Sequence, residues 1–298
     1  MEKTKQGLLI KGVGGLYTVD VEGQELECRA RGRFRRDRIS PVAGDRVTVE
    51  LQEDDTGFLV DILPRRNVLV RPPVANLDLL VIVAAAAQPA PNTLVMDKLI
   101  AVAEKNDIEP VVVINKTDLA DARLLHETYE AGGFVTFSLS AEQPESVEPL
   151  CEFLKGKISA FTGNSGVGKS SILNCICPEL ALPTGEISQK LGRGRHTTRS
   201  AQLYPLAGGG YIVDTAGFSS LDMEQVAPIL AEDLPYCFRE FLPHLGKCRF
   251  TSCAHAKEVG CAVKVAVEEG RIPASRYESY VAMLEDAKKL VEWQLNKK

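Results

Sequence analysis

No apolar stretch in this sequence is long enough to cross a bilayer. The longest, Leu79 to Ala87, has nine residues against the roughly 20 that a spanning helix needs. The first residues, MEKTKQGLLIKGVGG, are positively charged but lack an apolar core of about 7 to 15 residues, so no secretory signal is legible and a cytoplasmic location is expected. No repeat of about 20 to 50 residues and no low-complexity tract occurs, which excludes solenoid and array architectures. Nor is the chain basic: its net charge of −5 excludes bulk attraction to a polyanion.

What is present belongs to a soluble globular protein. The 298 residues suggest two domains with room for a small third, and 45% hydrophobic with 25% charged residues is enough apolar material for a core. The charge is uneven. Residues 29–38, RARGRFRRDR, carry +5 and residues 190–199, KLGRGRHTTR, carry +4, leaving −14 for the rest. Two basic patches on an acidic body point to localised polyanion contact, with solvated surface arginine as the competing reading. Eight cysteines in a chain without an export signal are expected to be reduced thiols or metal ligands.

The texture changes twice along the chain. From residue 8 to 63, short strand-like segments such as YTVDV (17–21), RVTVELQ (46–52) and FLVDIL (58–63) are separated by glycine-rich or polar turns. Four or five such strands suit a small closed barrel, of which the OB-fold is the nucleic-acid-binding example. Leu63-Pro64-Arg65-Arg66 reads as a linker. Beyond it LDLLVIVAAAA, PVVVIN, KISAFTG and GYIVDTAG are continuous apolar strands that need cover on both faces, with helical text such as MDKLIAVAEKN between them. That pattern predicts a parallel α/β sheet. After about residue 223 the strand signal ends. Helical text then surrounds a Cys/His cluster, and Tyr277, Tyr280, Val281, Leu284 and Val291 share one face of a last helix. The expected division is 1–66, 67–222 and 223–298.

The strongest chemical signal is Gly163-Asn164-Ser165-Gly166-Val167-Gly168-Lys169-Ser170-Ser171, a complete G-x-x-x-x-G-K-S between an apolar strand and a helix. Backbone N–H groups of such a loop curl around phosphate oxygens, Lys169 reaches the β and γ phosphates, and the Ser170 hydroxyl can bind Mg²⁺. A second strand ends in Asp214-Thr215-Ala216-Gly217, about 45 residues past the loop, where a P-loop NTPase places its Mg²⁺-holding carboxylate. The Gly217 amide can meet the γ phosphate.

Asn115-Lys116-Thr117-Asp118, at the end of PVVVI, resembles the N-K-x-D guanine-reading motif of the GTPase superfamily. A carboxylate can accept two hydrogen bonds from the N1–H and N2–H₂ edge of guanine, whereas adenine offers no such pair of donors. Ser138-Leu139-Ser140-Ala141 resembles the loop that supports guanine O6 through backbone amides. The order is what stands out: NKTD, SLSA, P-loop, RHTT, DTAG, where a small GTPase begins with its P-loop. Cutting the sheet before its base-reading strands and joining the old ends preserves every spatial neighbour, so the expectation is a circularly permuted GTPase. The segment after DTAG then runs straight into the C-terminal unit, so that nucleotide state can act on it.

That unit carries Cys248-x4-Cys253-x-His255-x5-Cys261. Three thiolates and one imidazole suit a tetrahedral, structural Zn²⁺, with buried reduced cysteines as the alternative. Cys28, Cys151, Cys175, Cys177 and Cys237 have no such partner set and read as small apolar residues, and His126 and His244 read as surface or packing residues.

Barrel, permuted GTPase and this Cys/His unit together resemble the ribosome small subunit-dependent GTPase A family over essentially the whole chain. The resemblance implies hydrolysis of GTP to GDP and phosphate with Mg²⁺, stimulated by the small ribosomal subunit late in its maturation, one structural zinc, and contacts of barrel and zinc unit to ribosomal RNA. It also implies other assembly factors as further partners, no membrane, and a monomeric free state. Gly192 to Thr198 matches the family's first switch, so Thr198, with Thr197 as the near alternative, would bind Mg²⁺ and sense the γ phosphate. Phe218 stands where Ras-like enzymes place a water-orienting Gln and cannot hydrogen-bond water, which predicts slow intrinsic hydrolysis. His196 is the resemblance's replacement, with an exposed loop histidine as the other reading. Ala216 stands where the family's D-T-P-G has Pro. Two rivals remain at this point: an RNA-binding module with incidental hydrolysis, and a P-loop kinase acting on a small molecule.

Overall fold

The computed structural model describes residues 4–31, 34, 40–53, 56–70, 72–182, 201–213 and 229–295. Five strands, β1 (Thr4–Val13), β2 (Leu16–Val21), β3 (Gln24–Ala30), β4 (Arg46–Leu51) and β5 (Thr56–Ile62), close into a barrel in the order β1-β2-β3-β5-β4. All neighbours are antiparallel except β3 and β5, which run parallel, and β1 returns to β4 to complete the circle. Closure follows from the alternating pattern. Leu9, Val19, Leu26, Val47, Val49 and Leu59 are buried together in the barrel core, while alternate residues such as Glu25, Glu27, Arg46 and Phe58 are exposed.

The Leu63–Arg66 segment lies between regular elements as expected, but its arginines are anchored. Arg65 donates to the fully buried Asp45 carboxylate at 2.7 and 2.9 Å, and Arg66 pairs with Asp78 at 2.9 Å. A hairpin that the sequence did not announce, β6 (Val68–Val70) with β7 (Pro73–Ala75), follows at once. Its Ala75 N–H donates to Ala43 O at 2.9 Å, which fastens the barrel to what comes next.

The central sheet comprises β8 (Leu79–Ala85), β9 (Glu109–Asn115), β10 (Val135–Ser138), β11 (Ile158–Thr162), β12 (Leu203–Pro205) and β13 (Tyr211–Val213), in the order β10-β9-β8-β11-β13-β12. Five strands are parallel; only the short edge strand β12 is antiparallel, to β13. Helices α1 (Thr93–Lys105), α2 (Arg123–Ala131), α3 (Glu148–Leu154) and α4 (Lys169–Ile176) make the crossovers. The unbroken apolar run of β8 is explained by burial on both faces. Leu80 and Ile82 enter one core cluster, and Val81 and Val83 enter the other.

Among the described residues from 229 onward there is no strand. Two short 3₁₀ turns, Leu234–Cys237 and Arg239–His244, precede α5 (Ala262–Glu268) and the long α6 (Ala274–Leu295) around an aromatic core in which the Phe241 and Tyr280 rings lie 4.8 Å apart. Arg276 of α6, fully buried, bonds Asp97 of α1 at 2.5 Å and Glu240 at 2.7 Å and faces the Phe238 ring. The unit is thereby fixed to α1 through a desolvated ionic cluster, and losing one partner of such a cluster costs about 3–5 kcal/mol. None of the described helices is long and apolar enough to cross a membrane.

Candidate nucleotide and metal sites

After β11 the chain turns at Gly163, where φ is +141° and a Cβ would lie 2.1 Å from Val83 O, so only glycine fits. Asn164, Ser165, Gly166 and Val167 form the loop; Ser165 and Gly166 are exposed and Val167 is buried. Gly168, at φ +93°, leads into α4, whose first turn presents unsatisfied N–H groups together with the half-buried Ser170 and Ser171. The Lys169 ammonium donates to Gly163 O at 2.7 Å and Asn164 O at 2.8 Å, curling back over the loop. Burial pushes its pKa down to about 8. A phosphate seated there would raise it again, because an adjacent anion favours the charged form.

The base-reading residues stand against this loop. Asn115 ends β9 and is buried; its Nδ2 donates to Val167 O at 2.9 Å and its Oδ1 accepts from the Ala141 N–H at 3.0 Å. Lys116, at φ +64°, donates to Gly166 O at 2.7 Å and to Gln88 O. Thr117 N–H bonds Leu139 O at 3.3 Å, and the exposed Asp118 carboxylate accepts from the Ser140 hydroxyl at 2.5 Å. Ser146 in turn supports Ser140, accepting its N–H at 3.0 Å and donating to its carbonyl at 2.8 Å. The three loops, far apart in sequence, are thus one hydrogen-bonded body at the C-terminal ends of parallel strands, where α/β sheets bind ligands. Asn115 and Lys116 are joists between loops, a role their motif does not announce. Ser146 had no signal at all.

Gly168 is a sharp test of this joinery. A Cβ there would lie 2.2 Å from Asn115 Nδ2, at a φ that L-residues disfavour. Gly168→Ala is expected to weaken guanine nucleotide binding by about tenfold or more, since breaking a buried bond and straining the backbone each cost about 1–2 kcal/mol. Titration with a fluorescent GDP analogue, beside a circular dichroism spectrum that stays unchanged, checks it.

Cys248, Cys253, His255 and Cys261 converge as their spacing suggested: their ligand atoms all lie within 4.8 Å of one another. His255 Nδ1 lies 3.4 Å from Cys248 Sγ and 3.5 Å from Cys261 Sγ. Backbone N–H groups of His255 and Ala262 donate to Cys253 Sγ and Cys248 Sγ at 3.4 and 3.3 Å, the kind of support a thiolate takes. Burial pushes the Cys253 thiol up to about 12 and the His255 imidazole down, so the isolated groups are neutral. A soft divalent cation would supply the missing charge, and an S₃N donor set with no further ligand among the described residues suits tetrahedral zinc in a structural site. Cys28, Cys177 and Cys237 are buried, and Cys151 and Cys175 partly so. His126 bonds Ser138 Oγ at 2.9 Å, and His244 contacts Arg271 at 3.4 Å.

His196, Thr197, Thr198, Asp214, Gly217 and Phe218 lie outside the described residues, as does the whole basic patch 190–199. Of the other patch, Arg29 lies on β3, Arg31 pairs with Glu50, and Phe34 is buried in the barrel core.

A parallel sheet whose P-loop strand lies at its centre, but whose base-reading strand precedes it in the chain, defines a circularly permuted P-loop GTPase. The comparisons with known proteins narrow this further. The family model for the RsgA GTPase matches residues 62–224, and that for the RsgA N-terminal domain matches residues 6–59. The small ribosomal subunit biogenesis GTPase RsgA of Caldanaerobacter subterraneus subsp. tengcongensis is 48% identical over 95% of this chain and 96% of its own. A Listeria innocua protein of the same name, numbered 2, is 41% identical over 95% and 97%. Among solved structures, YjeQ from Thermotoga maritima superposes with a TM-score of 0.84 at 38% identity, covering 95% of this chain and 98% of that one. YloQ, described as a circularly permuted GTPase, gives 0.82 at 34% identity over 97% and 96%. The chain belongs to the RsgA GTPase family.

Proposed function

We propose that this protein is a GTPase that binds the small ribosomal subunit, acts late in its maturation and is stimulated by it; its relatives carry the name small ribosomal subunit biogenesis GTPase. The observation that supports the GTPase reading is the bonding of Asn115 and Lys116 to the P-loop carbonyls of Val167 and Gly166, which ties the loop that carries Asp118 to the loop that carries Lys169. Asp118 reads the guanine N1–H and N2–H₂ edge, with Ser140 orienting it and the Ala141 loop supporting the base. Gly163 to Ser171 cradle the phosphates, and Lys169 holds the β and γ oxygens. Mg²⁺ would supply positive charge against that which develops on the phosphates. Ser170, Asp214 and Thr198 would hold it. His196 positions the attacking water, and the Gly217 amide meets the γ phosphate. Cys248, Cys253, His255 and Cys261 hold one structural zinc. The barrel and the zinc unit contact ribosomal RNA, in a chain divided near residues 66 and 222.

GTP turnover with and without purified small subunits, with large subunits as control, tests the reading. Stimulation of about tenfold or more by small subunits alone is expected, since completing such sites gives up to 10³–10⁵ in related systems. In His196→Ala, that stimulation is expected to disappear while GTP affinity holds. An unstimulated wild-type rate would leave a GTPase without this partner.

A further inference from the structure

Among the described residues the barrel meets the rest of the molecule in two places, and they differ in kind. One is the junction already described, where Arg65 holds Asp45 and the Ala75 N–H bonds Ala43 O. The other lies at the far edge of the sheet. There Lys11 of β1 forms an antiparallel bridge with Gln202, one residue before β12, and Leu8 and Ile10 join the same apolar cluster as Ala201, Leu203 and Tyr211. From β2, Asp20 Oδ2 accepts a hydrogen bond from the Tyr211 hydroxyl, while its Oδ1 accepts the Gly23 N–H at 2.7 Å and so secures the β2–β3 turn.

Tyr211 is the first residue of β13. It lies in register with Ile158, at the foot of the P-loop strand, and its N–H donates to Lys157 O at 2.8 Å. In sequence Asp214 comes three residues later, and Gln202 comes four residues after Thr198. The two three-residue strands that neighbour the switch motifs in the chain therefore both end against the barrel. They are the shortest strands of the central sheet, so this is the edge most easily shifted.

We propose that the Tyr211–Asp20 hydrogen bond, beside the Lys11–Gln202 bridge, couples the barrel to the nucleotide state, with Tyr211 a positioning residue for subunit-stimulated hydrolysis. The role in stimulation rests on the proposed function; the coupling itself does not. A coupling of this kind is reciprocal in binding: whatever factor RNA on the barrel applies to nucleotide affinity, nucleotide applies to the barrel's affinity for RNA. Tyr211→Phe removes one hydroxyl and leaves the ring in the apolar cluster. Asp20→Asn keeps an oxygen for the Gly23 turn but removes the carboxylate.

Hydrogen exchange on the full chain, with Mg–GDP and with a non-hydrolysable GTP analogue, tests the coupling without ribosomes. The β1 and β2 amides of the wild type are expected to exchange at different rates in the two states. That difference should vanish in Tyr211→Phe and Asp20→Asn while GDP affinity and the thermal midpoint stay near the wild type. With small subunits present, both variants should lose about fivefold or more of the stimulation while keeping the basal rate, the lower end of typical coupling. Identical β1–β2 exchange in both nucleotide states of the wild type would overturn the proposal, as would a difference that survives in both variants. Absence of stimulation in the wild type would instead count against the proposed function, and the exchange result would still decide the coupling.

Discussion

Asp118→Asn is expected to lower GTP affinity by about 10²–10⁴-fold with the fold intact. Two hydrogen bonds to a charged group contribute about 1.5–3 kcal/mol each, and the amide turns an –NH₂ toward a guanine edge that itself only donates. Asp118 is exposed and takes its orientation from Ser140, so its replacement leaves the core untouched. The same variant should gain affinity for xanthosine triphosphate, whose C2 carbonyl can accept from the new amide. Equilibrium titration of both nucleotides on both proteins measures the exchange of preference. A variant that keeps wild-type GTP affinity would remove Asp118 from base recognition.

Removal of the zinc proposed at the Cys/His cluster is expected to have the second large effect. The segment 248–261 has little regular structure and is held by N–H···S bonds, by the Glu258 carboxylate at the Ala254 and Ala256 amides, and by the Tyr280 hydroxyl on Ala254 O at 2.8 Å. Partly buried thiols are weak partners for such a loop, whereas a cation with the thiolates as ligands would hold it. Structural zinc contributes about 10–16 kcal/mol of apparent binding energy in small zinc peptides, so its removal should unfold the C-terminal core before the GTPase sheet. Cys253→Ser or a strong chelator should split the thermal transition in two and move the first to lower temperature. Zinc release on denaturation should read one ion per wild-type chain. A single unchanged transition, with no metal released, would assign these cysteines to plain packing.

Much of this was legible in the sequence, for reasons that differ between elements. The barrel strands and the sheet strands announced themselves through alternation and through doubly buried runs, because burial on one face or on two leaves different patterns. The G-x-x-x-x-G-K-S loop, NKTD and the Cys/His spacing are local constraints, since each ligand needs its donors at fixed intervals. What stayed hidden is long-range. β12 has three residues and pairs antiparallel at an edge, too short to leave a periodicity. Ser146 supports Ser140 from six residues away with no motif, and Arg65 looked like part of a linker because its partner Asp45 lies 20 positions back. The Arg276–Asp97–Glu240 cluster joins residues up to 179 positions apart. It also bears on the expected action of nucleotide on the C-terminal unit: with α6 riveted to α1, any such movement has to carry α1 along or break a buried ion pair.

The measurement that bears most directly on the permuted site is a crystal structure of the protein with Mg²⁺ and a non-hydrolysable GTP analogue. One ligand should have its guanine N1 and N2 on Asp118 and its β and γ oxygens on Lys169, with Asn115 still bonded to Val167 O. A ligand whose phosphates occupy the Gly163–Ser171 loop while its base lies away from Asp118 would contradict the account.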